Sequence, residues 1–392
     1  MNNQIPHFKT HICYVSEQPM PNLLLCFEQN AKPETVILLA SSRMVKEGTY
    51  ETLAQNFKKL GIKTEKKELP DSSPFMPFSN FIEEFIHNLP DEAINEYAFN
   101  ITGGTKLMTF AAIRACSDKQ IEMFYIDTFN NTLFLLNERK EIPLPNVCTV
   151  KNILNGYGHR VTNSKTQKHN NGAIIKILLQ QSEKCISELN KVAEKASKNN
   201  LRAENQCTNP RIISQFKSLL NECAHAGLFT IKENTIQFKD EYSRSFCNGI
   251  WLEEHVAYAL EQLKKTDKIT DFESSVEVIY SDKNISNQDA EPVNELDALF
   301  ARNNILYHIE CKTCNMEDNK KVRTIMYKLG FLRKQIGGTF AKGILISFKK
   351  LSEKEKEHAK KDRILVIDEI DKIKNLPKTL TEIFDNEKQK NK

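Results

Sequence analysis

The sequence predicts an α/β protein made of two sheet-containing units with a helical segment between them. Three observations carry that prediction. β-Branched runs alternate with helical patterns through residues 1–150, and an Asn-, Gly- and Lys-rich stretch then breaks the pattern. A second alternation of strands and helices fills residues 246–380. At 392 residues the chain exceeds one ordinary core, so two or three domains are expected.

In the first unit, "HICYVS" (11–16) is a short strand that runs into the Pro-containing loop "EQPMPN". "ETVILLAS" (34–41) is a continuous apolar run of the kind buried in a parallel sheet. A helix is expected from about Val45 to Leu60, a strand at "KTEKKEL" and a helix at 78–89. "EYAFNIT" (96–102) is a strand leading directly into the glycine pair of "NITGGTKLM". A helix at 106–117 and the strands "EMFYIDT" and "NTLFLLN" close the unit. Residues 151–245 read as a linker (151–172) and a winged-helix-like connector. The connector has helical patterns at 172–201 and 210–226, then a hairpin at 228–238 turning at Glu233-Asn234. The last unit opens with the amphipathic helix 247–263, which carries the only Trp. Strands at 274–282, 294–302 and 305–313, a basic helix at 320–338, and strands at 342–348 and 364–370 follow. The polar tail, 381–392, is expected to be disordered.

Composition is ordinary for a globular protein, with 40% hydrophobic and 27% charged residues. No apolar run reaches transmembrane length, and "MNNQIPHFKT" lacks the features of a signal peptide, so a cytoplasmic protein without membrane contact is expected. Lys plus Arg exceed Asp plus Glu by 55 − 51 = 4, which permits nucleic acid as a partner without arguing for it. The ten cysteines are scattered and read as reduced core thiols. Cys311 and Cys314 have metal-ligand spacing, but no second pair completes a zinc site.

The strongest chemistry lies in "NELDALFARNNILYHIECKT" (294–313). Asn303-Asn304 suits a two-residue hairpin turn, because Asn tolerates positive φ. Paired residue numbers then sum to 607, which sets Asp297 opposite Glu310 and Glu295 opposite Lys312. Alternation puts Glu310 and Lys312 on one face and Cys311 on the other, toward the core. Opposed carboxylates repel each other, but a divalent cation reverses the sign; carboxylate oxygens suit Mg²⁺ or Mn²⁺. A nearby lysine stabilises charge developing on a phosphate. The same spacing also fits an exposed hairpin with a Glu–Lys cross-strand pair. Lys320, Lys321, Lys328, Arg333 and Lys334 on the following helix are candidates for phosphate contacts.

With Glu253 or Glu254 on the preceding helix and the basic helix behind, this hairpin resembles the PD-(D/E)xK nucleases of restriction-endonuclease-like fold. The resemblance implies that Asp297, Glu310 and the backbone carbonyl of Cys311 hold the metal. It makes Lys312 the catalytic lysine and brings Glu253 in from the first helix. Leu296 stands at the nominal proline.

Backbone N–H groups of Gly103, Gly104 and Thr105 at a helix N-terminus favour an anion, Thr102 and Thr105 add hydroxyls, and Lys106 adds charge. A tight capped turn explains the same residues equally well. "VSEQPMPN", "ITGGTKLM", "FYIDT" and "LNGYG" together resemble the Rossmann-like CARF domain of type III CRISPR accessory proteins. CARF followed by PD-(D/E)xK resembles the Card/Can-type ancillary nucleases. That resemblance implies a homodimer activated by a cyclic oligoadenylate, usually cyclic tetra-adenylate. It implies cleavage of single-stranded DNA or RNA, with nicking of duplex DNA. The ligand pocket would be lined by Gln18, Asn22, Ser41, Ser42 and Thr102 to Lys106, and the connector would transmit the signal. Two alternatives stand beside it: a ligand-sensing transcription regulator using the winged helix, and a ring nuclease that degrades its own ligand.

Overall fold

In the computed structural model, which describes residues 4–164, 171–207, 209–280, 294–313 and 319–390, the first unit is a seven-stranded sheet. Its strands are β1 (Thr10–Tyr14), β2 (Thr35–Ser41), β3 (Lys63–Leu69), β4 (Tyr97–Asn100), β5 (Glu122–Asp127), β6 (Thr132–Leu135) and β7 (Lys140–Pro143), in the order β3-β2-β1-β4-β5-β6-β7. β1 to β5 run parallel and the last two strands antiparallel. β7 lies beyond the two strands expected to close the unit. The expected helix from Val45 to Leu60 is two helices, Ser42–Lys46 and Thr49–Lys59, broken at Gly48 with φ +64°. The chain winds outward from β1 to β3, then returns to place β4 on the other side of β1. Such a switch in strand order opens a crevice at the strands' carboxyl ends. The loops after β1 and β4 both leave there.

The stretch expected as a linker, 151–172, carries regular elements in its described part. Thr149 caps a helix, Val150–Gly156, through its hydroxyl and the Asn152 side chain. β8 (His159–Ser164) follows and pairs antiparallel with a strand of the second sheet. The connector then runs through helices Gly172–Leu178, Glu183–Ser197 and Ile213–His225, with β9 (Arg202–Glu204), β10 (Phe229–Lys232) and β11 (Thr235–Phe238) in a small antiparallel sheet. The β10–β11 hairpin turns at Glu233-Asn234, where Glu233 takes φ +52°.

The second sheet adds β12 (Asp271–Tyr280), β13 (Asn294–Arg302), β14 (Ile305–Lys312), β15 (Lys342–Ser347) and β16 (Ile364–Ile367), in the order β16-β15-β14-β13-β12-β8. Asn303 and Asn304 form the β13–β14 turn with φ +50° and +59°, and the ladder keeps the expected register from Arg302↔Ile305 to Ala298↔Ile309. The tail is not disordered over its described part. Helix Leu376–Lys390 runs through it, and Leu380 and Phe384 are buried, Phe384 against Phe300 and Tyr307.

Core packing joins the units directly. Leu23, Leu53 and Phe57 of the first unit share one buried cluster with Leu299, Leu306, Leu332 and Ile336 of the second. On the opposite face of β14, Ile305, Tyr307, Ile309 and Cys311 pack with the connector helices and with helix Trp251–Lys265. Among the described residues no helix is long and apolar enough to cross a membrane.

Candidate active site and ligand crevice

Asp297 and Glu310 lie just beyond the last paired residues of β13 and β14. There the strands part, and Asp297 Oδ2 accepts a 2.6 Å hydrogen bond from the Cys311 backbone N–H. Glu295 does not take Lys312 as expected; Lys312 Nζ forms a 2.7 Å ion pair with Glu310 on its own strand. Alternation explains that choice, since residues two apart on a strand share a face. Cys311 points the other way, into the core, as expected.

Glu253 arrives from the first turn of helix Trp251–Lys265. A backbone irregularity lets that helix start close to the end of β14. Gly249 takes φ +138°, and a Cβ there would stand 2.9 Å from Thr313 Oγ1. The choice between Glu253 and Glu254 is resolved by partners: Glu254 accepts hydrogen bonds from Tyr242 and from Asn171. Glu253 instead faces the acidic pair. Burial first, and the Asp297 charge second, push its carboxyl up to about 8. Burial and then the Glu310 charge raise Asp297 to about 7. Burial works against the Lys312 ammonium, but Glu310 and Asp297 outweigh it and hold its pKa above the ordinary value.

Three carboxyl groups thus crowd one lysine, a charge excess that a divalent cation would neutralise. The donor set fits Mg²⁺ or Mn²⁺, which take few protein oxygens and keep their waters. Among the described residues no group of three or more His, Cys, Asp or Glu side chains is arranged to hold a metal ion by itself. One neighbour escaped the sequence reading. His308, two residues before Glu310 on the same face, is fully buried with neither ring nitrogen hydrogen-bonded, and burial lowers its pKa to about 4. Only the alternation of "HIECKT" signals it. Arg333, a candidate for phosphate contact, is buried instead; it donates to the Ala341 and Asp362 carbonyls at 2.5 and 2.9 Å.

At the carboxyl edge of the first sheet, the Gly103 turn sits against the end of β1. A Cβ on Gly103 would meet the Tyr14 carbonyl at 3.0 Å and Ser16 Oγ at 3.3 Å, and Gly104 takes φ +85°. Thr105 caps helix Lys106–Lys119 by accepting from the Met108 N–H at 3.3 Å. Thr102 Oγ1 accepts from the Ile126 N–H, tying the turn to β5. Gly104, Thr105 and Lys106 are exposed. Ser41 accepts from the Met44 N–H and caps the helix after β2, while Ser42 is exposed beside it.

Two of the expected ligand residues are engaged elsewhere. Asn22 is buried, donating to the Tyr14 carbonyl at 2.9 Å and accepting from Asn100 at 2.9 Å, so it holds the crevice floor rather than lining its mouth. Gln18 faces the second unit: its Oε1 accepts from Tyr157 Oη at 3.0 Å and from the Thr339 N–H at 3.2 Å. Arg43, exposed and ion-paired with Glu17, is a cation beside the crevice that the sequence reading passed over.

Comparison with known proteins agrees with this division. Residues 10–152 match the family described as the Card1 CARF domain, and residues 240–386 match the Card1-like endonuclease domain. A crystal structure of protein VC1899 from Vibrio cholerae superposes with a TM-score of 0.78 at 22% identity, covering 96% of this chain and 98% of that one. Can2 from Sulfobacillus thermosulfidooxidans, solved in complex with cyclic tetra-adenylate, gives 0.76 at 21% identity over 95% and 96%. A type III CRISPR defence DNA nuclease activated by cyclic oligoadenylate gives 0.53 at 16% identity over 89% of this chain and 46% of that one. No curated protein matches significantly. Fold and site therefore define a CARF domain joined to a restriction-endonuclease-like domain, and the chain is an endonuclease. It belongs to the family that joins a Card1 CARF domain to a Card1-like endonuclease domain.

Proposed function

We propose that this chain is a cytoplasmic, metal-dependent nuclease switched on by a cyclic oligoadenylate, specifically cyclic tetra-adenylate. It cleaves single-stranded DNA or RNA and nicks duplex DNA. The observation that carries the reading is the meeting of Asp297, Glu310 and Glu253 around Lys312. Asp297 and Glu310, with the Cys311 carbonyl, would hold Mn²⁺ or Mg²⁺. When bound, the metal supplies an activated water and charge neutralisation at the scissile phosphate. Lys312 stabilises the developing negative charge, and Glu253, whose carboxyl sits near neutrality, holds or releases a proton at the edge of the site.

The ligand would sit on the exposed backbone and side chains of Gly104, Thr105 and Lys106, with Ser42 at the adjacent strand end. The ring is two-fold symmetric, so two copies of the turn would face it across a dimer axis. Support for a homodimer comes from the first turns of helix Lys106–Lys119, where Leu107 and Phe110 are exposed next to Lys106. Such apolar side chains at an otherwise polar rim suit an isologous contact.

The test is cleavage of labelled single-stranded DNA, single-stranded RNA and supercoiled plasmid with Mn²⁺ or Mg²⁺, with and without cyclic tetra- and hexa-adenylate. Cleavage should require metal and cyclic tetra-adenylate and should be lost in Glu310→Ala, which should still bind the ring. Metal-dependent cutting that survives Glu310→Ala would remove the site assignment. Cutting indifferent to both rings would remove the activation.

A further inference from the structure

We propose that the outer face of helix Asn319–Gly337 is the track along which single-stranded nucleic acid reaches the nuclease centre. Bases stack on Tyr327 and Phe331, and phosphates lie on Arg323, Lys328 and Lys334. The proposal rests on the nuclease reading above and adds the surface that holds its substrate.

Four observations carry it. First, the helix is basic throughout: it contains Lys320, Lys321, Arg323, Lys328, Arg333 and Lys334 and no acidic residue. The whole chain is nearly balanced at +4, and helix Glu353–Lys361, for contrast, interleaves its lysines with glutamates. Second, among the described residues Arg323, Lys328 and Lys334 are exposed and make no ion pair, whereas Arg333 is buried and used internally. Third, Tyr327 and Phe331 are 68% and 62% exposed, one helical turn apart. Arg323 lies one turn before them and Lys334 one turn after, so cation, ring, ring and cation form a single stripe. The opposite face is already satisfied, since Val322, Met326, Leu329, Leu332 and Ile336 are buried.

The fourth observation is position. The even-numbered residues of β14 point at this helix: Leu306 packs with Leu332 and Ile336, and His308 feels the charge of Lys328. Glu310 and Lys312 continue that same row. The helix therefore covers the catalytic face of the sheet, and its first residues follow Lys312 closely in the chain. Charge complementarity selects a polyanion as the occupant. Exposed rings favour one whose bases are free to stack over a paired duplex, which meets the cations alone.

The experiment is fluorescence anisotropy of the full-length protein in EDTA, which blocks cleavage, with cyclic tetra-adenylate present. Probes are a single-stranded oligonucleotide, the same backbone with abasic sites, and the duplex. Tyr327→Ala with Phe331→Ala should weaken binding of the single strand at least about tenfold, and the abasic strand little. Tyr327→Trp with Phe331→Trp should restore binding. Arg323→Ala with Lys334→Ala should weaken all probes and lower the salt dependence by about one ion per residue.

Unchanged single-strand affinity in the double Ala variant, with an unchanged melting temperature, overturns the track. A variant that instead falls from dimer to monomer in sedimentation, with its single-strand affinity intact, assigns the stripe to self-association and also overturns it. A wild-type chain that binds no nucleic acid at all sinks the nuclease reading itself, an outcome distinct from either.

Discussion

Replacing Asn304 with alanine should separate the two units more sharply than any change at the catalytic residues. Asn304 sits at the tip of the hairpin whose strands carry Asp297 and Glu310, and it is only 3% exposed. Its Oδ1 accepts from the backbone N–H groups of Val147 and Cys148 at 3.0 and 3.1 Å. Its Nδ2 donates to Asn131 Oδ1 and to the Pro145 carbonyl, both at 2.8 Å. Every hydrogen-bonding position of one side chain is thus spent on the first unit. Each such bond is worth about 1 kcal/mol net, so the full set amounts to about 4 kcal/mol. Water entering the vacated space recovers part of this, and an expected loss of about 2–3 kcal/mol remains. Asn303→Ala is the control, because it shares the positive φ of the turn, +50° against +59°. Urea unfolding should place Asn304→Ala well below Asn303→Ala, and the ratio of ligand-activated to basal cleavage should fall in the first variant only. Equal stability for the two variants would refute the reasoning, since it would leave only backbone strain in common.

Four further outcomes are expected. In EDTA, melting should fall as pH rises from about 4 to about 8. Glu253 and Asp297, held near 8 and 7 against ordinary values of 4.5 and 3.8, bind protons in the folded state that the unfolded chain has released, and that stability is lost as pH rises through the folded values. Asp297→Asn should raise the pH 8 melting temperature without metal while abolishing cleavage; a lower one would contradict it. Gly338→Ala, whose Cβ would run into Tyr157 Oη and Gln18 Oε1 at φ +72°, should destabilise the chain by about 1–3 kcal/mol in denaturant titration. Lys106→Ala should weaken cyclic tetra-adenylate binding in calorimetry and leave the melting temperature within about 1 °C, as befits an exposed side chain.

What the sequence revealed and what it hid divide along the range of the interactions involved. The β13–β14 hairpin was legible because its signals are local: two Asn residues for a turn at positive φ, and strict alternation on either side. Glu253 and Glu254 could not be separated by pattern, since the choice depends on Tyr242 and Asn171 reaching Glu254 from elsewhere. "HRVTNS" looked like linker because it is polar, and its pairing with Val276 to Tyr280 joins segments more than a hundred residues apart. The tail misled for a similar reason. Its last residues are polar, but Phe384 packs at an angle against Phe300 and Tyr307 and under the Arg302 guanidinium, and those partners fix the helix. Gln18 was placed in the ligand pocket from its position in "VSEQPMPN", yet its partners, Tyr157 and Thr339, come from the far side of the junction.

The shared core bears on how a signal could travel. The connector was expected to be the transmitter, and it does reach the catalytic strand, where the Asn190 amide lies 2.7 Å from Thr313 Oγ1. But the first unit also packs against Leu306 on the other face of β14 and against Leu332 and Ile336 of the helix that follows it. Opening that contact would expose Leu299 along with these three, at about 2 kcal/mol per side chain and about 8 kcal/mol in all. A bound effector typically supplies about 1–3 kcal/mol of coupling. A hinge between the units of one chain therefore costs more than a ligand ordinarily returns. Rotation of two intact copies about a shared ligand leaves the core untouched and can be driven within that range. In such a rearrangement Gln18 and Asn304 would act as fasteners, making each chain move as one body, and the loop after β1 would carry the Gly103 turn and the Thr339 backbone together.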